Sequence, residues 1–190
     1  MIDAHCHLQE FENPVGAMAG LEAVVCCGSG VKSSRKAVEL ASKYKEIFAT
    51  VGVHPEEMTN DKFTNDKSNL KSQLLKLLKQ PRVVAVGECG LDTGDDDEVE
   101  LFKLNIKLAK EVGLPLVVHC RNQFDKVFET LDYDKVQMHC FTGNMEQAKK
   151  YIEMGFYIGI NGIIFKFNIN EIIKNISLDN PLRIFVEEKI

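Results

Sequence analysis

The chain has 190 residues, 45% of them hydrophobic, and a formal net charge of -5. That length supports one core of ordinary size, so a single domain over residues 1–190 is expected. The acidic balance excludes a protein that coats DNA through a broad basic surface. No apolar run reaches the roughly 18 residues that suggest a membrane span, and the apolar pattern begins at Ile2, leaving no room for a secretory leader. An intracellular protein is expected, in the cytoplasm or the nucleus, with no membrane partner.

In chain order, Ile2 to His7 (IDAHCH) reads as a strand whose alternation sends His5 and His7 to one face. Leu21 to Gly28 is a short apolar run stopped by Gly-Ser-Gly, a second strand. Val31, Ala37, Val38 and Leu40 then fall on one helical face, and Ile47 to Pro55 is a third strand ending at His54. Residues 60–69 read as a polar loop, Leu70 to Leu78 as an amphipathic helix, and Pro81 as the turn into a fourth strand. That strand, within VVAVGECGLD, is almost continuously apolar, as expected where both faces are covered, and delivers Glu88 near its C-terminal end. The acidic run Asp95 to Glu100 suits the entry to a helix from about Val99 to Val112. Leu116 to Arg121 (LVVHCR), Lys135 to Gly143 (KVQMHCFTG), Phe156 to Ile164 and Arg183 to Glu187 supply strands five to eight, with a helix around Met145 to Met154. Eight strands alternating with helices predict an α/β fold of the (β/α)8 barrel type.

On that fold, His5, His7, Glu88, His119 and His139 fall on strands one, four, five and six, the last three at C-terminal ends. That rim is where such barrels do chemistry. Neutral imidazoles converging on one carboxylate make a metal site, with a donor set that suits Zn, Mn, Fe or Co. Of the six cysteines, Cys6, Cys89, Cys120 and Cys140 each directly follow one of those ligands. Alternation turns them toward the covering helices, where a reduced thiol packs as a small hydrophobe. Phe141, Tyr157 and Phe165 read as core or supporting residues rather than as a platform for stacked bases.

The set His5-Cys6-His7, Val51-Gly52-Val53-His54-Pro55, Gly87-Glu88-Cys89-Gly90-Leu91-Asp92, Val118-His119-Cys120-Arg121 and His139-Cys140-Phe141-Thr142-Gly143 resembles the TatD family of metal-dependent deoxyribonucleases in order, spacing and strand context. The resemblance runs from residue 2 to about 187. It implies a two-metal phosphodiesterase acting on DNA, with His5 and His7 on one divalent ion (Mg, Mn or Zn), Glu88 bridging, and His119 and His139 on the second. Beside these ligands, Glu88 enters the chemistry as the bridge, His54 on the same rim touches the substrate or a supporting group, and Arg121 either clamps a phosphate through its planar fork or pairs with a carboxylate such as Asp92.

Strand eight departs from the family pattern. Where the family ends in Glu-Thr-Asp, this chain reads Phe185-Val186-Glu187-Glu188-Lys189-Ile190, with Lys189 at the aspartate position. Glu187 shares its face but lies about 6.7 Å further down the strand, and Glu188 faces the other way. The final helix of the barrel is not expected, so the outer faces of strands eight and one (Ile184, Val186, Ala4, Cys6, Leu8) should lose their cover. An apolar patch of that kind predicts self-association, or a C-terminally shortened chain. Two alternatives to the nuclease stand: a metal-binding barrel without catalysis, and an amidohydrolase acting on a small cyclic amide, whose relatives bridge their metals with a modified lysine where this chain has Glu88.

Overall fold

Short apolar runs, each closed by a turn, form strands that lie side by side in the order in which they are made. The computed structural model describes residues 2–59, 67–160 and 184–186, with Thr59 and the last three as backbone only. The strands are β1 (Ile2–Cys6), β2 (Ala23–Cys27), β3 (Ile47–Val51), β4 (Val83–Leu91), β5 (Leu116–Cys120), β6 (Val136–Met138), β7 (Tyr157–Ile160) and β8 (Ile184–Val186). All pair in parallel, each with its neighbour in sequence. Cα atoms of β8 come back within 8 Å of those of β1, so the sheet curls toward a barrel. Parallel strands need crossovers, and the described ones are α2 (Val31–Lys43), α3 (Lys67–Leu78), α4 (Asp96–Val112), α5 (Phe124–Thr130) and α6 (Met145–Glu153). Between β1 and β2 the crossover holds only a 3-10 turn (Leu8–Glu10) and the one-turn helix α1 (Pro14–Ala17).

The core lies between the sheet and these helices. β4 is buried along nearly its whole length, as its unbroken apolar sequence requires. Tyr151 of α6 is buried and donates its hydroxyl to the carbonyl of Phe124, tying α6 to α5.

Several expectations need correction. The segment 60–69 is not all loop, because α3 already begins at Lys67, and residues 60–66 lie outside the described residues. The acidic run is the first turn of α4 rather than its approach: Asp95 is the N-cap, accepting from the Glu98 amide at 2.9 Å, and Asp96, Asp97 and Glu98 follow at the positive end of the helix dipole. β6 stops at Met138, so Cys140 does not sit on a strand facing a helix; it lies half-buried in a turn with φ of 46°. The other ligand-adjacent cysteines, Cys6, Cys89 and Cys120, are buried, and all six cysteines are unbridged. Cys6 and Leu8 do not lose their cover, since Leu8 heads the 3-10 turn that packs on α2 and both are buried in the core. Of the β1 residues, Ile2 is the exposed one, at 58%. Among the described residues no helix follows β8, and the side chains of Ile184 and Val186, with Phe165 and residues 161–183 and 187–190, lie outside them.

Gly90 permits the closest approach within the sheet. Its φ is +148°, and a Cβ there would stand 1.8 Å from the carbonyl oxygen of His119 on β5. Gly113 also has a positive φ, +71°, as the residue that ends α4, but nothing lies within 4 Å of its missing Cβ. Gly90→Ala should therefore destabilise the protein by about 3 kcal/mol or more through a backbone collision. Gly113→Ala should cost only about 1 kcal/mol, the left-handed conformational penalty. Chemical denaturation of the two variants measures the difference.

Candidate metal centre

The strand ends gather the polar residues on one rim. His5 lies in β1 and His7 immediately past it; Glu88 lies in β4 with Asp92 just beyond; His119 lies in β5 with Arg121 just beyond; His139 follows β6. β3 ends at Val51, so His54 stands on the loop past the strand rather than at its tip. Pairing slips out of register between Asp3 and Cys6 and again between Val86 and Cys89. Irregularities of this kind re-aim side chains, and here they flank His5 and Glu88.

Glu88 is 5% exposed and its carboxylate is the hub. Oε2 faces His5 Nε2 at 3.3 Å and His7 Nε2 at 3.6 Å. Oε1 faces His119 Nδ1 at 3.3 Å, and His54 Nε2 and His139 Nε2 each at 3.8 Å. The site thus brings together all five sequence-predicted ligands and His54. Ligand atoms within 4.8 Å of one another form two triads that share Glu88: one with His5 and His139, the other with His54 and His119. The two groupings differ on His139, which faces the Oε1 side of the carboxylate while its ring stacks on His5 at 3.4 Å between centroids. Two imidazolium cations stacked at that separation would repel one another, which favours at least one neutral ring.

The outer nitrogens decide what each ring presents inward. His7 Nδ1 meets the carbonyl of Cys27 at 3.0 Å, and a carbonyl only accepts, so Nδ1 carries the proton and Nε2 turns a lone pair toward Glu88. His119 Nε2 lies 2.7 Å from Asp92 Oδ1, which leaves Nδ1 as its inward lone pair when the ring is neutral. Cys27 points its thiol at the carbonyl of Val25 and its sulfur lies 3.4 Å from His5 Nδ1, an acceptor for that N–H. His54 is the opposite case. Its Nδ1 accepts the backbone N–H of Glu56 at 3.1 Å, so the neutral ring presents an N–H inward and is a donor rather than a ligand.

Lone pairs aimed at a carboxylate across 3.3 to 3.6 Å repel unless cations lie between them. The donor set therefore fits divalent metal ions. The electrostatics agree: burial alone would raise the pKa of Glu88, but the surrounding histidines, His5 foremost, hold it well below the usual carboxylate range. Burial lowers His54 despite Glu88 beside it. Burial would lower His119 too, yet hydrogen bonding to Glu88 and Asp92 outweighs it and raises that ring.

Arg121 is 62% exposed and lies between two carboxylates, 3.6 Å from Asp92 Oδ1 and 3.8 Å from Glu56 Oε1. It pairs with Asp92, and its exposure leaves it free to turn outward. Phe141 is buried in the core, as expected, whereas Tyr157 is 38% exposed at the start of β7. Sequence reasoning did not assign Cys27 to the site, gave Asp92 no link to His119, and left Glu98 inside an acidic helix entry. The spacing Asp95-x-x-Glu98 signals a helix start, but no local pattern connects it with a histidine in β5.

The family model for the TatD related DNases matches residues 2–187. The chain belongs to that family. The 3'-5' ssDNA/RNA exonuclease TatD of Escherichia coli strain K12 is 30% identical over 154 residues, covering 76% of this chain and 57% of that protein. The enzyme of the same name from Citrobacter koseri is 32% identical over the same length and coverage. The chain thus spans a little over half the length of the curated relatives it matches. Among solved structures, a TatD homologue from Escherichia coli superposes with a TM-score of 0.83 at 26% identity, covering 99% of this chain and 78% of its own. A TatD-family hydrolase from Entamoeba histolytica superposes at 0.81 with 21% identity, covering 99% and 73%, which shows the shared fold. No helix among the described residues is long and apolar enough to cross a membrane.

If His119 is a metal ligand in this TatD-family site, a proton on its Nδ1 competes with the metal ion for the same lone pair. Because its carboxylate neighbours raise the pKa of His119, that competition begins at a higher pH than for an ordinary imidazole. Metal affinity should be flat at alkaline pH, then fall by up to about tenfold per unit as pH drops through the raised value. Indicator-competition titrations at a series of pH values check this, and a flat profile down to acid pH would remove His119 from the ligand set.

Proposed function

We propose that the chain is a metal-dependent deoxyribonuclease that hydrolyses phosphodiester bonds in single-stranded DNA with two divalent ions (Mg, Mn or Zn). The observation that carries the reading is one buried carboxylate, Glu88, which turns its two oxygens to different sets of histidines. In this reading Glu88 bridges, with His5 and His7 on the Oε2 side, and His119 and His139 on the Oε1 side. The relatives' naming as single-stranded DNA and RNA exonucleases supports this substrate class. A glutamate on strand four, where cyclic-amide hydrolases would need a lysine, weighs against that alternative. Bound metals would supply Lewis-acid activation of the phosphoryl group and of an attacking water.

The chain's own residues supply the rest. His54 aims an N–H into the site, where it can donate to a phosphoryl oxygen or to the leaving group. Arg121 would exchange its long contacts with Asp92 and Glu56 for a bidentate grip on a phosphate, which suits its planar fork. A cytoplasmic location, with the nucleus as the alternative, belongs to this reading, and the outer face around the exposed Ile2 of β1 is a candidate for self-association.

One sequence feature favours a second reading. In sequence Lys189 aligns with the family's strand-eight aspartate, a natural partner for the attacking water; a barrel that keeps its metal ligands but has lost that base, with reduced or no catalysis, is this second reading. Incubation with end-labelled single-stranded DNA, with each metal or with chelator, separates the two. Metal-dependent cleavage is expected, and Glu88→Ala should reduce it by about 10²-fold or more. Folded, metal-loaded protein that leaves the DNA intact would replace the nuclease reading with the non-catalytic one.

A further inference from the structure

We propose that Glu98 is a positioning residue of the metal centre, acting through Asp92 to hold the ring of His119 with Nδ1 turned to the Glu88 carboxylate. The proposal rests on the reading of His119 as a metal ligand.

Glu98 lies in the first turn of α4 and is 6% exposed. Its role is not the cap of that helix, because Asp95 already caps it by accepting the Glu98 amide at 2.9 Å. The Glu98 carboxylate reaches back instead. A single oxygen, Oε2, accepts three consecutive backbone N–H groups, from Asp92 at 2.9 Å, Thr93 at 2.9 Å and Gly94 at 2.8 Å. An anion gathering three amides fixes the turn between β4 and α4 more firmly than a neutral acceptor would.

The first of those amides belongs to the residue that orients His119. With its backbone pinned, Asp92 sets Oδ1 at 2.7 Å from His119 Nε2, while Nδ1 of the same ring stands 3.3 Å from Glu88 Oε1. A carboxylate cannot donate, so Asp92 keeps the proton on Nε2 and the lone pair inward. Glu88 is itself an anion beside Nδ1 and competes for that proton. If the turn relaxes and the 2.7 Å bond opens, the competition shifts toward Glu88 and the ligand lone pair is lost. Groups that orient a metal-binding histidine in this way typically hold 10–100-fold in metal affinity.

Three substitutions test the chain of contacts. Glu98→Met fills the space without an equivalent acceptor, Glu98→Asp keeps the charge but shortens the reach, and Glu98→Gln keeps both shape and an acceptor oxygen. Folding is checked by circular dichroism, and Glu98→Asp carries the test alone if Glu98→Met does not fold. The readout is the low-field Nε2–H resonance of His119 in protein carrying 15N-labelled histidine, recorded without metal and with Zn, beside equilibrium titration of Zn. In the Met and Asp variants that resonance should disappear into fast exchange and one Zn equivalent should weaken by about 10–100-fold. Glu98→Gln should retain the resonance and stay within about threefold in affinity.

A lowered melting temperature with the His119 resonance intact in the Met or Asp variant would make Glu98 merely structural and overturn the proposal. Loss of the resonance in Glu98→Gln would overturn it as well, as would a lost resonance with unchanged Zn affinity. Should the unsubstituted protein bind none of Mg, Mn or Zn, the nuclease reading fails by itself, and the metal-free resonance still decides whether Glu98 positions Asp92 and His119.

Discussion

The site depends on the cost of burying one negative charge. An unpaired carboxylate at the depth of Glu88 is strongly unfavourable, and it is tolerated only where positive charge comes close. None of the four histidines that surround it together with His54 is a permanent cation. They are groups that hold either a proton or a metal ion, and the fold commits the far nitrogens of His5, His7 and His119 elsewhere. In the absence of metal, protons on the histidines can supply the compensation: Glu88 is held well below the usual carboxylate range and His119 is raised by its carboxylate neighbours, while burial lowers His54. Replacing those protons with divalent ions adds charge and removes lone-pair repulsion in the same step. The cluster therefore suits cations before it suits anything else.

What each ring presents inward is set by the contacts outside the histidines. His7 is turned by the Cys27 carbonyl, His119 by Asp92, and His5 is set beside the Cys27 sulfur. Each leaves an inward lone pair. His54 receives a proton donor on its outer side and so sends an N–H inward. Two imidazoles that look alike in sequence thus present opposite groups to Glu88, a lone pair and an N–H, because of one backbone amide.

Much of this was legible in the sequence, for a physical reason. Strands covered on both faces must be apolar along their length, so a lone histidine or glutamate near the end of VVAVGECGLD or LVVHCR stands out, and parallel alternation with helices brings such ends to one rim. The His5 and His7 pair, Glu88, His119 and His139 were found that way. Periodicity says nothing, however, about contacts between distant segments. The burial of Cys6 and Leu8 comes from the 3-10 turn folding onto α2, and Cys140 leaves its strand because β6 ends two residues earlier. Asp92 and Glu98 carry no signal of their function, since acidic residues at a helix entry are already explained by the helix dipole. The direction of each ring nitrogen is likewise a product of tertiary contacts alone.

The turn between β4 and α4 shows how stability and chemistry share residues in this fold. Asp95 starts the helix, and Glu98 one turn later binds the backbone that leads out of the strand bearing Glu88. Gly90, in the same strand, lets β4 lie against the backbone of His119 with no side chain between. Strand, turn and helix entry therefore fix the separation between the Glu88 carboxylate and the histidine facing it. A substitution that relaxes any of them moves a residue of the site as well as weakening the fold. The rigidity of the barrel's C-terminal rim follows from that coupling: ligand geometry is set by backbone hydrogen bonds and close packing, and the loops beyond the rim can vary without disturbing it.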